Sequence, residues 1–311
     1  MALRLLFPLI GIALLVVLVI AVTRLATSRG LRADAAGADL AAVEQWTTLW
    51  RWLGILAGFT LAIGALSAQD AGLGRLAMSA PAIGGCAVLL AIMLGELTIR
   101  PATTQRRTAS LTTRTIADLL PRVRTWVASV GIALLGALLT VGVLTASPDD
   151  MGRAGRAITA SCYVDLPGGE STLQTNTNGP YPGSFYAIPA ALVMAITVCC
   201  AVVAARAIRD RANPDAGHTA YDTGLRRDAM SRVVSAVGAT AYGTAAPISF
   251  VMAVALSSND CIRGGDTFTG MLVVAGLGSV VVAAVLLANV LLPRKADKAS
   301  SGTPASTQAA R

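Results

Sequence analysis

The chain has 311 residues, of which 54% are hydrophobic and only 14% are charged. Soluble globular domains carry about 25% charged residues, so this balance excludes an ordinary water-soluble domain. The formal net charge is +8, but the basic residues lie between apolar runs rather than in one patch with interleaved aromatic residues. We therefore expect the lipid bilayer, and not a nucleic acid, as the main partner.

Uncharged apolar runs predict membrane-spanning helices, because roughly 20 apolar residues are needed to cross a hydrocarbon core of about 30 Å. Seven such runs are present, and they predict an all-α, polytopic transmembrane helical bundle of about seven spans. The transmembrane domain is expected to cover residues 1–294. Its spans are predicted at residues 5–23, 52–69, 76–95, 125–148, 184–205, 233–259 and 267–293.

The first run, residues 5–23, has two interpretations: a membrane span or a secretory signal. The apolar stretch is too long for a typical signal. Positive charge also follows it, at Arg24, Arg29 and Arg32, where a signal carries its charge before the apolar run. We therefore interpret the run as a span.

The basic residues divide unevenly when the loops are assigned to alternating sides of the membrane. One side holds twenty and the other holds five. The five are Arg4, Arg75, Arg153, Arg156 and Arg263. By the positive-inside rule, the N-terminus is expected outside and the C-terminus in the cytoplasm. An even number of spans would break this alternation.

Two segments outside the predicted spans are expected to lack regular structure. Residues 149–183 form the longest external loop, and their Gly, Pro and Asn residues favour turns, which predicts a small irregular cap. Residues 295–311 are polar and small, cannot bury enough apolar surface to fold alone, and are expected to form a disordered cytoplasmic tail.

Glu96 is the carboxylate nearest to the membrane interior, at the inner end of the third run. An ionisable group at such a place can belong to a proton or cation path. Alternatively, Glu96 lies at the interface and pairs with Arg100 at the i,i+4 spacing that favours an ion pair on a helix. We favour the ion pair.

The predicted topology divides the five cysteines into two groups. Cys162 and Cys261 fall in the two external loops of the last four spans, where an oxidising exterior would allow a disulfide. The alternative is two free thiols that lie too far apart to meet. Cys86, Cys199 and Cys200 lie inside spans and are interpreted as small packing residues, because no CxxC pair or nearby histidine supports a metal site.

The sixth run is rich in small and polar residues. Thr240, Gly243, Thr244 and Pro247 share one helix face at i, i+3, i+4 and i+7. This face could line a solute path with Pro247 as a hinge, since a proline frees a backbone carbonyl and bends the helix. Such stripes also mark sites where helices approach closely, and we favour helix packing.

The commoner local catalytic signatures are absent from the sequence. It contains no Walker loop, GxSxG elbow, HExxH helix or dinucleotide fingerprint. The single histidine, His218, lies in a polar loop without other metal-ligand types at useful spacing. We therefore expect no catalytic residues, no metal and no cofactor, and we interpret the chain as a protein that is not an enzyme.

One stretch carries a family resemblance. Residues 95–122 (GELTIRPATTQRRTASLTTRTIADLLPR) follow an apolar run and resemble a segment of uncharacterised polytopic integral membrane proteins of high-GC actinobacteria. The resemblance implies a multi-pass protein of a bacterial plasma membrane. It carries no activity and no site residues to this chain.

Three functions are open at this point. The first is a non-catalytic subunit or scaffold of a membrane complex, with a protein partner and with anionic lipid contacts through the cytoplasmic arginine clusters. The second is a small-solute or ion transporter, motivated by Glu96 and by the polar face of the sixth run with Pro247. The third is an intramembrane enzyme that uses the external residues Asp149, Asp150 and Asp165, although nothing in the sequence fixes the geometry catalysis needs. We favour the subunit or scaffold.

Overall fold

The computed structural model describes most of the predicted transmembrane domain. Its described residues are 35–68, 73–99, 115–165, 167, 169–211, 219–262 and 265–291. The predicted span at residues 5–23, Arg100, His218 and the predicted tail at residues 295–311 lie outside them.

Long helices dominate the described part of the chain and confirm the predicted all-α, polytopic bundle. Six of them are long and apolar enough to cross a membrane, and these six coincide with the second to seventh predicted spans. The helices are α1 (Ala35–Ser67), α2 (Arg75–Met78), α3 (Ala80–Leu97), α4 (Arg122–Thr145), α5 (Ser184–Asp210), α6 (Thr219–Ser257) and α7 (Gly265–Leu291).

Helix α6 begins well before the span that the sequence predicts. It starts at Thr219 rather than at residue 233, and its 39 residues reach about 58 Å, far more than a hydrocarbon core requires. Hydropathy detects only the apolar portion of a helix. The polar first part of α6 continues as helix because its charged side chains find partners within the protein.

The external segment is more regular than predicted, so the expectation of an irregular cap at residues 149–183 is wrong. Strands β1 (Ile158–Asp165) and β2 (Ser171–Asn178) form an antiparallel hairpin in which Ile158 pairs with Asn178 and Asp165 pairs with Ser171. Strand β2 is rich in threonine, and β1 carries Ile, Thr and Val; these β-branched residues favour strands. Gly169, at a positive φ of 86°, serves the connecting turn.

Helix α6 occupies the centre of the bundle. It packs against α3, α4, α5 and α7. Buried positions make up 61% of its most apolar stretch, compared with 17% for α7. Lipid is as apolar as a leucine side chain, so close van der Waals packing holds such helices together, and the small residues of α6 permit it. The polar residues of the sixth run therefore face protein.

The bundle has two chemically different ends. The hairpin end carries β1 and β2, together with the last turn of α4 and the first turns of α5 and α7. Opposite it lies the arginine end, with the C-termini of α3 and α5 and the start of α6. Nine of the twelve arginines in the described residues lie at the arginine end: Arg51, Arg122, Arg124, Arg206, Arg209, Arg211, Arg226, Arg227 and Arg232.

Candidate functional site

Glu96 lies buried in the protein at the arginine end, near the C-terminus of α3. The residue is 7% exposed, and Oε2 lies 3.9 Å from Nη1 of Arg211, which follows the last residue of α5. No described group donates a hydrogen bond to this oxygen. The partner predicted from the sequence, Arg100, lies outside the described residues. Glu96 therefore faces a cation from another part of the chain, 115 residues away.

Arg211 also contacts a second carboxylate. Its Nη2 donates to Asp222 Oδ1 at 3.1 Å, and Arg226 Nε donates to Asp222 Oδ2 at 2.7 Å. The three side chains are almost inaccessible to solvent. A buried carboxylate is stable when cations and hydrogen bonds satisfy its oxygens, as both guanidinium groups do here. The ion pairs join α3, the end of α5 and the start of α6.

Arg226 also closes the C-terminus of α5. Its Nη1 donates to the carbonyl oxygens of Ile208 and Arg209 at 3.0 Å each, and its Nη2 donates to the carbonyl oxygen of Arg211 at 2.6 Å. The last carbonyls of a helix have no partner within the helix, and a cation there complements the helix dipole. One arginine thereby attaches α6 to α5 through three backbone contacts.

Arg51 of α1 lies at the same end of the bundle. A Cβ placed on Gly95 would lie 2.8 Å from Trp50 Cβ, so α1 and α3 approach closely at the residues next to Arg51 and Glu96. Trp46 Nε1 donates to Thr98 Oγ1 at 3.0 Å and joins the same two helices one turn further on. Arg232 of α6 is close enough to exert an electrostatic effect on both Arg51 and Glu96.

The cluster carries more positive than negative charge. We define the inner charge cluster as Arg51, Glu96, Arg211, Asp222, Arg226 and Arg232. Its four arginines outnumber its two carboxylates, and Glu96 is surrounded by guanidinium groups. Such surroundings oppose the binding of a cation at Glu96 and favour the binding of an anion nearby.

The helical bundle, the hairpin and the charge cluster offer several features for comparison with known proteins. No family model, curated protein or solved structure matches this chain. The contacts and chemistry of the residues therefore carry the functional assignment.

Sequence analysis did not find Arg211, Asp222 and Arg226, although one local signal was present. Asp222 and Arg226 stand four residues apart, the spacing of an ion pair on a helix. That signal predicts an exposed pair as readily as a buried one. The docking of Arg226 on the end of α5 depends on how α5 and α6 meet.

The polar stripe of α6 is packed against α3. Thr240 Oγ1 donates to the carbonyl oxygen of Ala236 at 2.8 Å, and Thr244 Oγ1 donates to that of Thr240 at 2.7 Å. A Cβ on Gly85 of α3 would overlap the Thr240 side chain, and a Cβ on Gly243 would lie 3.7 Å from Pro81 Cβ. The hydroxyls thus satisfy their own helix, and the face contacts protein. This geometry supports helix packing over a solute path.

Pro247 lies within α6 and is partly buried, and the helix continues through it to Ser257. A proline removes one backbone donor and disfavours a straight helix at that point. The backbone hydrogen bonding of α6 is therefore interrupted at Pro247, one turn after Thr244 and within the packed part of the bundle. Nothing about its position connects Pro247 to a polar path in the described residues.

A disulfide fixes the hairpin to the bundle. Cys162 of β1 is bonded to Cys261 in the connection between α6 and α7, with Cα atoms 5.1 Å apart. Beside it, Asn259 Nδ2 donates to the carbonyl oxygen of Asn176 at 3.2 Å. The inner face of the hairpin is therefore held against the connection between the last two helices, as the sequence interpretation of Cys162 and Cys261 requires.

Replacing Cys162 with serine is expected to release the hairpin. Loss of a structural disulfide commonly costs about 2–5 kcal/mol, and here the cost falls on the hairpin because its inner face loses a covalent attachment. We expect at least about a tenfold faster cleavage between β1 and β2 by an added protease. The matched control is Cys199→Ser, which replaces an exposed free cysteine of α5. Equal cleavage rates in the two variants would contradict the attachment.

The outer face of the hairpin combines hydroxyl groups with one apolar pair. Thr159 and Thr177 hydroxyls lie 3.0 Å apart, and those of Ser161 and Thr175 lie 2.8 Å apart. The next pair on this face, Tyr163 and Leu173, is 74% and 60% exposed. This face points away from the disulfide, because side chains alternate across a strand.

Two of the three external carboxylates that motivated the enzyme hypothesis, Asp149 and Asp165, are engaged in local structure. Asp149 pairs with Arg156 at 2.6 Å. Hydrogen bonds from the backbone N–H groups of Arg153 and Met151, with the charge of Arg156, hold the pKa of Asp149 below its usual value. Asp165 accepts a hydrogen bond from the Ser171 hydroxyl at 2.6 Å. In the described part of the chain, no three His, Cys, Asp or Glu residues gather as a metal site.

Proposed function

We propose that this chain is a non-catalytic subunit or scaffold of a membrane complex, and that it contacts a protein partner through the outer face of the β1–β2 hairpin. The observation that carries the proposal is the exposed pair of Tyr163 and Leu173 on a hairpin that a disulfide attaches to the bundle. The bundle anchors the hairpin and the hairpin presents the contact.

The chemistry of this face suits a protein partner. Exposed tyrosine side chains supply a large contact area with little conformational freedom to lose, and they are frequent at the centres of interfaces. The neighbouring hydroxyls of Ser161 and Thr175 form the polar rim that such centres usually have. The same hydroxyls disfavour insertion of this face into lipid, because hydrocarbon offers them no hydrogen-bond partners.

The attachment of the hairpin to the helical bundle supports a role as a binding surface. A contact residue on a mobile loop must lose conformational entropy when it binds, whereas a residue on a fixed strand has largely lost it already. The disulfide at Cys162 lies one residue from Tyr163, and the Asn259 contact holds β2 at Asn176. The apolar pair is therefore preorganised.

The transporter alternative has weaker support. Its two motivating features were Glu96 and the polar stripe of α6. Glu96 faces arginine side chains, and the stripe packs against α3 with its threonine hydroxyls bonded to its own backbone. A coupled transporter needs ionisable or polar groups that can reach a solute near the middle of the membrane.

We place the protein in a bacterial plasma membrane of the actinobacterial type, with the arginine end in the cytoplasm and the hairpin outside. The excess of arginine at one end supports this orientation through the positive-inside rule. The disulfide supports an oxidising environment at the hairpin end. The resemblance of residues 95–122 supports the source.

Photo-crosslinking tests the proposed contact. A photoreactive phenylalanine derivative at position 163, in the full chain expressed in its native membrane, is expected to give one discrete protein adduct on irradiation. Leu173→Asp should reduce the adduct yield at least about fivefold, because a charge opposite Tyr163 would have to be desolvated in the contact.

The control uses the other face of the same hairpin. Gln174→Asp adds the same charge one residue away, on the face that carries Cys162, and is expected to leave the yield unchanged. The proposal fails if position 163 gives no adduct, or if Leu173→Asp and Gln174→Asp reduce the yield equally. If the chain is folded and inserted in the membrane but gives no adduct, it does not bind a partner through the hairpin.

A further inference from the structure

Arg51 is a buried cation whose donors lack acceptors. The residue is 4% exposed, and its Nε and Nη1 donate no hydrogen bond to any described group. The indole N–H groups of the adjacent Trp50 and Trp52 also have no acceptor in the described part of the chain. Buried donors in native proteins are nearly always satisfied, so this turn of α1 calls for an acceptor-rich partner.

The neighbours of Arg51 do not supply that partner. Among the described residues, no carboxylate lies within ion-pair distance of Arg51 or of Arg232. Glu44, two helical turns before Arg51 on the same face of α1, is exposed and acts on Arg51 only from a distance, whereas Arg232 adds a second positive charge. Two like charges near each other favour an anion between them.

The other arginines of the inner charge cluster are already engaged. Arg226 donates to Asp222 and to three carbonyl oxygens, and Arg211 is shared between Asp222 and Glu96. The surplus positive charge therefore belongs to Arg51 and Arg232. These two residues come from α1 and α6, and both helices pack against α3.

We propose that Arg51 and Arg232 bind the phosphate group of an anionic phospholipid at the arginine end of the bundle. Guanidinium groups match the geometry of phosphate oxygens and bind them with charge-assisted hydrogen bonds. Basic sites between membrane helices are a recognised way to hold such head groups. The inference is independent of the hairpin contact, since it concerns the opposite end of the molecule.

A lipid fits this place better than a free anion. The tryptophans of α1, Trp46, Trp50 and Trp52, are residues that prefer the head-group layer of a membrane. Leu49 and Leu53 are exposed on the opposite face of α1 from Arg51, so these turns of the helix also contact acyl chains, although the two leucines do not line the site. Arg51 therefore lies at the depth of the head-group layer, where a phospholipid carries its phosphate group.

Thermal unfolding of the purified full chain in a mild uncharged detergent tests this site. Three additives are titrated separately: dioctanoyl phosphatidylglycerol, dioctanoyl phosphatidylcholine and inorganic phosphate. We expect the unfolding temperature to rise with phosphatidylglycerol in a saturable manner and to respond little to the other two. Arg232→Gln and Arg51→Gln should weaken the apparent affinity for phosphatidylglycerol at least about tenfold, because each removes charged hydrogen bonds to the phosphate.

The matched control is Arg227→Gln, which removes an exposed arginine of the same helix. It is expected to keep the wild-type response, which separates a specific site from general attraction to positive charge. Arg232 is only partly buried, so its variant keeps the test valid if Arg51→Gln does not fold.

Three results would overturn the proposal. The first is an absence of stabilisation by phosphatidylglycerol in the wild type. The second is an equal loss of affinity in Arg232→Gln and Arg227→Gln. The third is equal stabilisation by phosphatidylcholine or by inorganic phosphate, which would assign the effect to the acyl chains or to a free anion.

Discussion

Replacing Arg226 with alanine is expected to lower the free energy of unfolding by about 3–5 kcal/mol, the usual cost of removing one partner from a buried ion pair. The variant removes one of the two guanidinium donors that Asp222 has among the described residues, and it leaves the carbonyl groups of Ile208, Arg209 and Arg211 without this donor. Each uncompensated buried group adds to the loss. Equilibrium unfolding in mixed micelles of SDS and a mild detergent measures it.

Arg227→Ala is the matched control, because it removes the same side chain one residue further along α6 at an exposed position. Its effect is expected to stay within about 0.5 kcal/mol, as is usual for surface substitutions. A loss for Arg226→Ala as small as that of the control would show that the contacts with the end of α5 contribute nothing to stability.

A double-mutant cycle separates the ion pair from the helix cap. Asp222→Ala alone is expected to destabilise the protein, because it leaves Arg226 and Arg211 buried without this acceptor. In the Arg226→Ala background the same change should cost less, since most of the pair is already lost. Additive effects would mean that Arg226 acts through the α5 carbonyl oxygens rather than through Asp222.

Replacing Gly85 with alanine is expected to cost about 3 kcal/mol, at the upper end of the range for overpacked interiors. A Cβ at this position would overlap Thr240 Oγ1 and would lie 2.5 and 2.7 Å from Thr240 Cγ2 and Cβ. Thr240 is buried and its hydroxyl is bonded to Ala236, so it cannot turn away without leaving that bond. Helices α3 and α6 would have to separate.

The compensating change is Thr240→Ala, which removes the two Thr240 atoms nearest to the added carbon. It is expected to recover part of the stability of Gly85→Ala, with a coupling of about 1 kcal/mol or more. Gly136→Ala is the control, because nothing lies within 4 Å of its added carbon and alanine favours a helix. Unfolding in mixed micelles measures all three. No coupling between positions 85 and 240 would argue that the two helices do not meet there.

The membrane-spanning character of the chain could be predicted from the sequence because transfer into a bilayer is a local property. The free energy of inserting a segment depends mainly on the residues within one window of about 20, and no distant contact can reverse it for an uncharged aliphatic run. Six predicted spans therefore coincide with helices of the structure. The pairing of Cys162 and Cys261 could be predicted for a related reason, because alternating spans place both residues on the same side of the membrane.

The partners of the polar residues could not be predicted from the sequence, because the pairs form by contacts between distant segments of the chain. Glu96 meets Arg211, which lies 115 residues away in the sequence. Arg226 closes the end of α5 only because α5 and α6 meet at that point. Neither contact has a signal in the composition or the periodicity of the chain.

The hairpin shows the same division between local and long-range information. Turn-forming residues in the external loop indicated irregular structure, but the β-branched residues of β1 and β2 pair once the chain has reversed. The exposed pair of Tyr163 and Leu173 exists only in that register. The sequence by itself determined which segments enter the membrane, since insertion is decided segment by segment. The tertiary structure alone decided which polar and apolar side chains meet, since strand register and helix packing are set by contacts across the whole chain.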